Sequence, residues 1–178
     1  MTRAARRVLA DCEIALEMLE TEQNLDRWRV HWAGAVALAR AVGHVLHKVD
    51  GADVHLKQKI EMAYKRWISD DPQHAIFREF IDEERNNILK EYHFNLNTLD
   101  EVDIVTMQSV RDANADEPSE VPHVFPISDN IYRPILDGYS EGDDARDVYR
   151  EALDWWNAEL TAIEQTVSDR DPRSTAGS

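Results

Sequence analysis

The residues that could carry chemistry are concentrated in the stretch ERNNILKEYH, which runs from Glu84 to His93. Arg85 offers a permanently charged fork of donors that suits a phosphate, or the negative charge that develops on a phosphate during cleavage. Asn86 can orient its neighbours through hydrogen bonds, and His93 could move a proton near neutral pH. An arginine that stabilises an oxyanion and a histidine that acts as base or acid are the parts a metal-free phosphodiester cleavage could use.

These residues fall within a predicted helix over residues 72–93. Asp71 suits the N-cap, and Pro72 occupies the first helical position, where its missing N–H costs nothing. The apolar residues of this helix recur at helical spacing and are Phe77, Ile81, Ile88 and Tyr92. Their stripe passes through Glu84 and Arg85, so these charges must be paired, exposed in a cleft, or used in function.

A helical bundle with an Arg-Asn pair late in a core helix, followed by a histidine, resembles the HEPN superfamily (higher eukaryotes and prokaryotes nucleotide-binding domains). The resemblance covers residues 1–95 in helix order and the surroundings of Arg85 in motif. It implies a dimeric all-α protein and, as in the family's metal-independent RNases and toxin components, an arginine followed after four to six residues by a histidine. Arg85 and Asn86 match the start of this motif, whereas His93 lies one position beyond its longest spacing. On an ideal helix Arg85 and His93 are ~12 Å apart along the axis and ~80° apart around it.

The sequence leaves three roles open for this cluster. It could be a charged network that joins the fourth helix to its neighbours, a non-catalytic binding cleft, or an endoribonuclease site with Arg85 and His93 as the catalytic pair. The candidate binding residues are Glu84, Asn86, Lys90, Arg40 and His44. The leading hypothesis is a HEPN-like helical module that acts by binding or assembly, without turnover.

Arg40, His44 and His47 follow each other at i, i+4 and i+7, so they project from one face of the second helix. The two histidines have the spacing of a metal-binding pair, but no Glu-x-x-His motif or cysteine accompanies them. We therefore favour a polar seam or hydrogen-bonded histidines and assign no metal and no other cofactor. A metal-binding helical bundle is kept as a further alternative.

The periodicity predicts an all-α fold in which a four-helix antiparallel bundle is followed by an irregular segment and a fifth, C-terminal helix. The predicted helices cover residues 2–20, 25–49, 54–68, 72–93 and 143–167. Residues 111–147 hold four of the six prolines and are predicted to be mostly irregular, preceded by a short strand over 102–107 that could belong to one short strand pair. The division is a HEPN-like bundle over 1–95, the segment and last helix over 96–168, and a disordered tail over 169–178.

Composition narrows the function classes. Twenty basic and 35 acidic residues give a net charge of −15, which argues against a general nucleic-acid binder, although a local basic cleft leaves nucleic-acid binding undecided. The single cysteine, Cys12, is expected to be a small buried core residue. The longest uncharged stretch, 30–39, is about half a membrane span, so we expect a cytoplasmic protein without membrane contact. The small residues of the second helix and the five tryptophans predict a homodimer, with a protein partner also open.

Overall fold

A computed structural model describes residues 1–96, 101–110, 119–128 and 132–168 of the chain. It confirms the all-α class, with five helices and one small two-stranded sheet. The four regular helices are α1 (Arg3–Thr21), α2 (Leu25–Lys48), α3 (Val54–Trp67) and α5 (Ala145–Ser168). Among the helices of the described residues, none has the length and apolar character needed to cross a membrane. The predicted disordered tail lies outside these residues.

Capping fixes where two of these helices begin. The Asn24 side chain accepts a hydrogen bond from the backbone N–H of Arg27 at the start of α2, and the Asp53 side chain accepts from His55 at the start of α3. The first turn of α1 is capped from a distance, because the carboxylate of Asp50 accepts from two of its backbone N–H groups, at 3.1 and 2.9 Å. The end of α2 is thereby tied to the beginning of the chain.

Helix α2 is the centre of the core and contacts α1, α3 and α5 as well as the helical stretch over residues 76–86. Trp28 and Trp32 stack with ring centroids 5.6 Å apart, and the hydroxyl of Tyr149 on α5 donates to the carbonyl of Ala35 on α2 at 2.9 Å. Cys12 belongs to the same core, where burial raises the pKa of its thiol to about 11. Helix α5, together with Leu96 and Ile135, therefore shares one core with the first helices. The antiparallel four-helix arrangement stays a prediction.

The sheet is a hairpin of strand β1 (Glu101–Val110) and strand β2 (Ser119–Ser128). The strand predicted over 102–107 is confirmed, but the prediction of mostly irregular structure is wrong for residues 119–128. Pro122 and Pro126 favour a loop in the sequence, yet both strands of a two-stranded sheet are edges, where proline is tolerated. Their spacing of four places both on the same side of the ladder, so both positions without an N–H can face away from β1.

The helix predicted over 72–93 is helical but not regular. Asp71 caps a short 3₁₀ turn, Pro72–His74, and a π-helix (Ile76–Asp82), one α-turn (α4, Glu83–Asn86) and a second π-helix (Asn87–Glu91) follow. We call these last three pieces together the fourth helix. It ends at Tyr92, which has a left-handed backbone with φ of 51°. The backbone N–H of His93 then donates to the carbonyl of Asn87, six residues earlier, at 3.1 Å, which is one residue more than the corresponding bond of a Schellman cap spans.

Candidate functional site

The irregular geometry of the fourth helix determines which of its charges faces inward. A π-turn holds more residues than an α-turn, so a helix that mixes both turns comes close to four residues per turn. The buried residues of the fourth helix are Ile76, Phe77, Phe80, Ile81, Glu84 and Ile88, and one row of them, Ile76, Phe80, Glu84 and Ile88, recurs in steps of four. Glu84 is 6% exposed, while Arg85 next to it is half-buried and turned away from this row. The buried charge of the fourth helix is therefore a carboxyl group.

Two hydrogen bonds hold the Glu84 side chain. Its Oε1 accepts from the indole Nε1 of Trp32 at 3.2 Å and from the backbone N–H of Asn95 at 3.4 Å. Burial raises the pKa of Glu84, while the two donors and the nearby His93 act in the opposite direction. The protonated form is thus favoured relative to a carboxyl group in water, and a cation that reached this group would favour the ionised form.

Glu84 faces a cleft with a volume of about 150 Å³, which we call the Glu84 cleft. One wall is the fourth helix, and the other is the chain around residues 135–139. This second wall is fastened to the end of the fourth helix, since the amide group of Asn95 donates to the carbonyl of Asp137 and the backbone N–H of Leu136 donates to Asn95 at 3.1 Å. Gly138, with a φ of 91°, allows the tight turn there.

The polar lining of the Glu84 cleft is acidic. Glu79, Glu83 and Asp137 join Glu84 in the lining, and His93 is the one basic residue among the described lining residues. Glu79 is partly compensated, because its carboxylate lies 3.5 Å from Arg78. The hydroxyl of Tyr139, also in the lining, donates to Glu151 at 2.7 Å, and burial raises the pKa of this phenol. Such a lining attracts cations and repels phosphate.

A different environment surrounds Arg85. Its guanidinium donates to the side-chain oxygen of Asn86 at 2.8 Å, and no carboxylate of the described residues lies within ion-pair distance of it. It is close enough to His44 to act on that residue: partial burial lowers the pKa of His44, and the charges of Arg40 and Arg85 lower it further. Arg40 itself pairs with Asp82 rather than with Glu84, with Nε and Oδ1 2.6 Å apart.

The predicted site residues are therefore distributed over different surfaces. Glu84 and His93 line the Glu84 cleft, whereas Arg40 and His44 line a separate cavity. Arg85, Asn86 and Lys90 are not among the described residues that line either space. The left-handed turn at Tyr92 directs His93 to the Glu84 side without bringing Arg85 there. The catalytic and binding roles assigned from the sequence stay predictions.

Sequence reasoning missed most of the cleft lining. Glu79 and Glu83 follow each other at i, i+4 and precede Glu84, a pattern that could have indicated an acidic face. No signal in the sequence pairs residues 137–139 with the fourth helix, because they lie more than forty positions away along the chain. No group of three or more His, Cys, Asp and Glu side chains suited to a metal ion occurs in the described part of the chain.

Comparison with known proteins adds no relative: no protein-family model, no curated protein and no solved structure matches this chain.

Proposed function

We propose that this protein is a non-catalytic helical binding module and that the Glu84 cleft takes an organic cation, namely an ammonium or guanidinium group. One observation carries the proposal: the Glu84 carboxyl group, which is 6% exposed, faces a cleft that is also lined by the carboxyl groups of Glu79, Glu83 and Asp137. An unpaired buried carboxylate is costly, and a cation that hydrogen-bonds to it offsets that cost. The volume of about 150 Å³ suits the end of an aminoalkyl or guanidinoalkyl chain better than a drug-sized molecule.

Endoribonuclease activity has less support. It requires an arginine and a histidine at the same phosphate, but Arg85 is absent from the described lining of the cleft that holds His93. The carboxyl groups around His93 would also repel a phosphodiester. The metal-binding alternative is weakened in the same way, since His44 and His47 have no third ligand of a suitable type among the described residues. Both alternatives stay predictions, as does the HEPN relationship.

The homodimer also stays a prediction, and one argument for it is weakened. The five tryptophans suggested more apolar surface than one chain can bury, yet Trp28, Trp32, Trp67 and Trp156 are at most 1% exposed within a single chain. The remaining tryptophan, Trp155, packs against the same core. Sedimentation equilibrium tests the oligomeric state directly.

Calorimetric titration with agmatine tests the proposed function, because agmatine carries an ammonium group at one end and a guanidinium group at the other. We expect saturable binding that is lost, or weakened at least about tenfold, in Glu84→Gln. Glu91→Gln is the matched control, because Glu91 is an exposed glutamate of the same helix outside the cleft, and its removal changes the net charge equally.

Equal weakening in Glu84→Gln and Glu91→Gln would mean that agmatine responds only to the net negative charge, and it would contradict the proposal. A second titration, with a short neutral peptide that contains one arginine, distinguishes a small-molecule cation from the side chain of a protein partner. Binding of both probes at Glu84 indicates recognition of the shared group, while preference for the peptide indicates a protein partner.

A further inference from the structure

A second cavity lies between α2, α3 and the first π-helix of the fourth helix, and its volume is about 270 Å³. We call it the Arg40 pocket. It shares no lining residue with the Glu84 cleft among the residues that the structure describes. Its lining also differs in charge from that of the Glu84 cleft, because its floor is aromatic and its basic lining residues are Arg40, His44 and His47.

The aromatic floor is formed by Tyr64 and Trp67 of α3 and Phe77 of the fourth helix. The Tyr64 and Phe77 rings are perpendicular with centroids 6.3 Å apart, and Trp67 lies 5.5 Å from Phe77. Trp67 is 1% exposed and Phe77 is 2% exposed, whereas Tyr64 is 43% exposed at the edge. The perpendicular Tyr64–Phe77 contact and the tilted Trp67–Phe77 contact hold these rings in fixed positions, and Tyr64 is the part of this apolar floor that a further planar ring can reach most fully.

Arg40 supplies a cationic group above this floor. Its guanidinium carbon lies 5.4 Å from the centroid of the Phe77 ring, and its Nε donates to Asp82. No described residue accepts a hydrogen bond from its two terminal nitrogens, so both remain available for a ligand. The side chain is only 13% exposed, which reduces competition from water. A planar fork of donors at the edge of an aromatic surface matches a carboxylate in a bidentate geometry.

We propose that the Arg40 pocket binds a small planar aromatic carboxylate, with the ring on Tyr64, Trp67 and Phe77 and the carboxylate on Arg40. Local charge favours this ligand although the net charge of the protein is −15, because Arg40 lines the pocket and no acidic residue is among its described lining residues. The volume lies just below the range of ordinary small-molecule sites, which begins at ~300 Å³, and so limits the ligand to one or two rings. The proposal is independent of the function of the Glu84 cleft.

The test is a titration of the full chain with 2-naphthoate, followed through the tryptophan fluorescence and by calorimetry. Two matched probes carry the same ring without the negative charge, namely the neutral 2-naphthamide and the cationic 2-naphthylmethylamine, and so separate the contribution of the carboxylate from that of the ring. We expect naphthoate to bind at least about tenfold more tightly than either. Arg40→Gln should weaken naphthoate binding at least about tenfold. Arg40→Lys keeps the positive charge but loses the planar pair of donors, so its affinity for naphthoate should lie between those of the wild type and Arg40→Gln.

Arg27→Gln is the control, because Arg27 is an exposed arginine of the same helix outside the pocket. If Arg40→Gln does not fold, Tyr64→Ala tests the ring contact at a partly exposed position and should also weaken binding. Equal affinity for the carboxylate and the amide, unchanged binding in Arg40→Gln, or no saturable binding at millimolar naphthoate would overturn the proposal. Glu84→Gln should bind naphthoate as the wild type does, which separates this result from that of the agmatine experiment.

Discussion

Helix α2 contains two glycines whose replacement by alanine separates helix propensity from packing. A Cβ added at Gly34 meets no heavy atom within 4 Å. A Cβ added at Gly43 would lie 2.9 Å from Cη2 of Trp156 and 3.4 Å from Nη1 of Arg40. Both positions are inside the same helix, so the effect of alanine on helix propensity is the same at each. The difference in stability between the two variants therefore measures the contact of the new methyl group with neighbouring side chains.

The magnitudes follow from this geometry. Each alanine should stabilise α2 by about 1 kcal/mol through helix propensity. At Gly43 this gain is opposed by overpacking of about 1–3 kcal/mol, because the Trp156 ring is fully buried and packs against the rings of Trp67 and Phe77. We therefore expect Gly34→Ala to raise the free energy of unfolding by about 0.5–1 kcal/mol and Gly43→Ala to leave it unchanged or lower it by up to about 2 kcal/mol.

Urea unfolding of both variants, followed by far-ultraviolet circular dichroism, measures these changes. The midpoint should move while the slope with denaturant stays that of the wild type, because neither substitution changes the area exposed on unfolding. Equal stabilisation in the two variants would refute the reasoning, since it would mean that the indole ring of Trp156 does not lie against this part of α2.

Substitutions at three further positions test separate features of the structure. The folded protein holds the pKa of Glu84 above that of the unfolded chain, so the stability contributed by its proton is present at low pH and is lost as the pH rises through the folded pKa. In a pH series of urea unfolding, the free energy of unfolding of Glu84→Gln should therefore rise relative to that of the wild type by up to about 1.4 kcal/mol per pH unit between the two pKa values. Tyr92→Gly should be about 1 kcal/mol more stable than Tyr92→Ala in denaturant unfolding, since both lose the ring and only glycine relieves the left-handed backbone. Asp50→Ala should lower the free energy of unfolding by about 1–2 kcal/mol through loss of the cap on α1, and Asp50→Asn should lower it less.

The regular helices could be predicted from the sequence because local signals mark both their faces and their ends. Asn24 and Asp53, which are residue types that favour the N-cap, cap α2 and α3, and the apolar stripe of each helix has the ordinary α-helical spacing. The fourth helix could not be predicted in detail. An apolar stripe in steps of three and four is typical of an α-helix, and the i→i+5 hydrogen bonds that replace α-helical bonding leave no separate pattern in the sequence.

The sequence directs attention to residues 84–93, but the geometry of this stretch is not accessible from the sequence alone. Glu84 and Arg85 are adjacent, so a small change in helical winding decides which of them faces the core. The structure buries Glu84 against Trp32 and leaves Arg85 beside Asn86. The opposite wall of the cleft depends on long-range contacts such as the one between Asn95 and Asp137, which no local pattern encodes.

We propose above all that the Glu84 carboxyl group faces inward and binds a cation. Carbon-13 spectroscopy of the Glu84 side-chain carboxyl, titrated with pH in the absence and presence of saturating agmatine, tests this claim most directly. We expect a raised pKa for Glu84 in the free protein and a lower pKa in the complex, so that agmatine binding releases a proton at a pH near the pKa of the free protein. A carboxyl signal that titrates at the same pH with and without agmatine would contradict it.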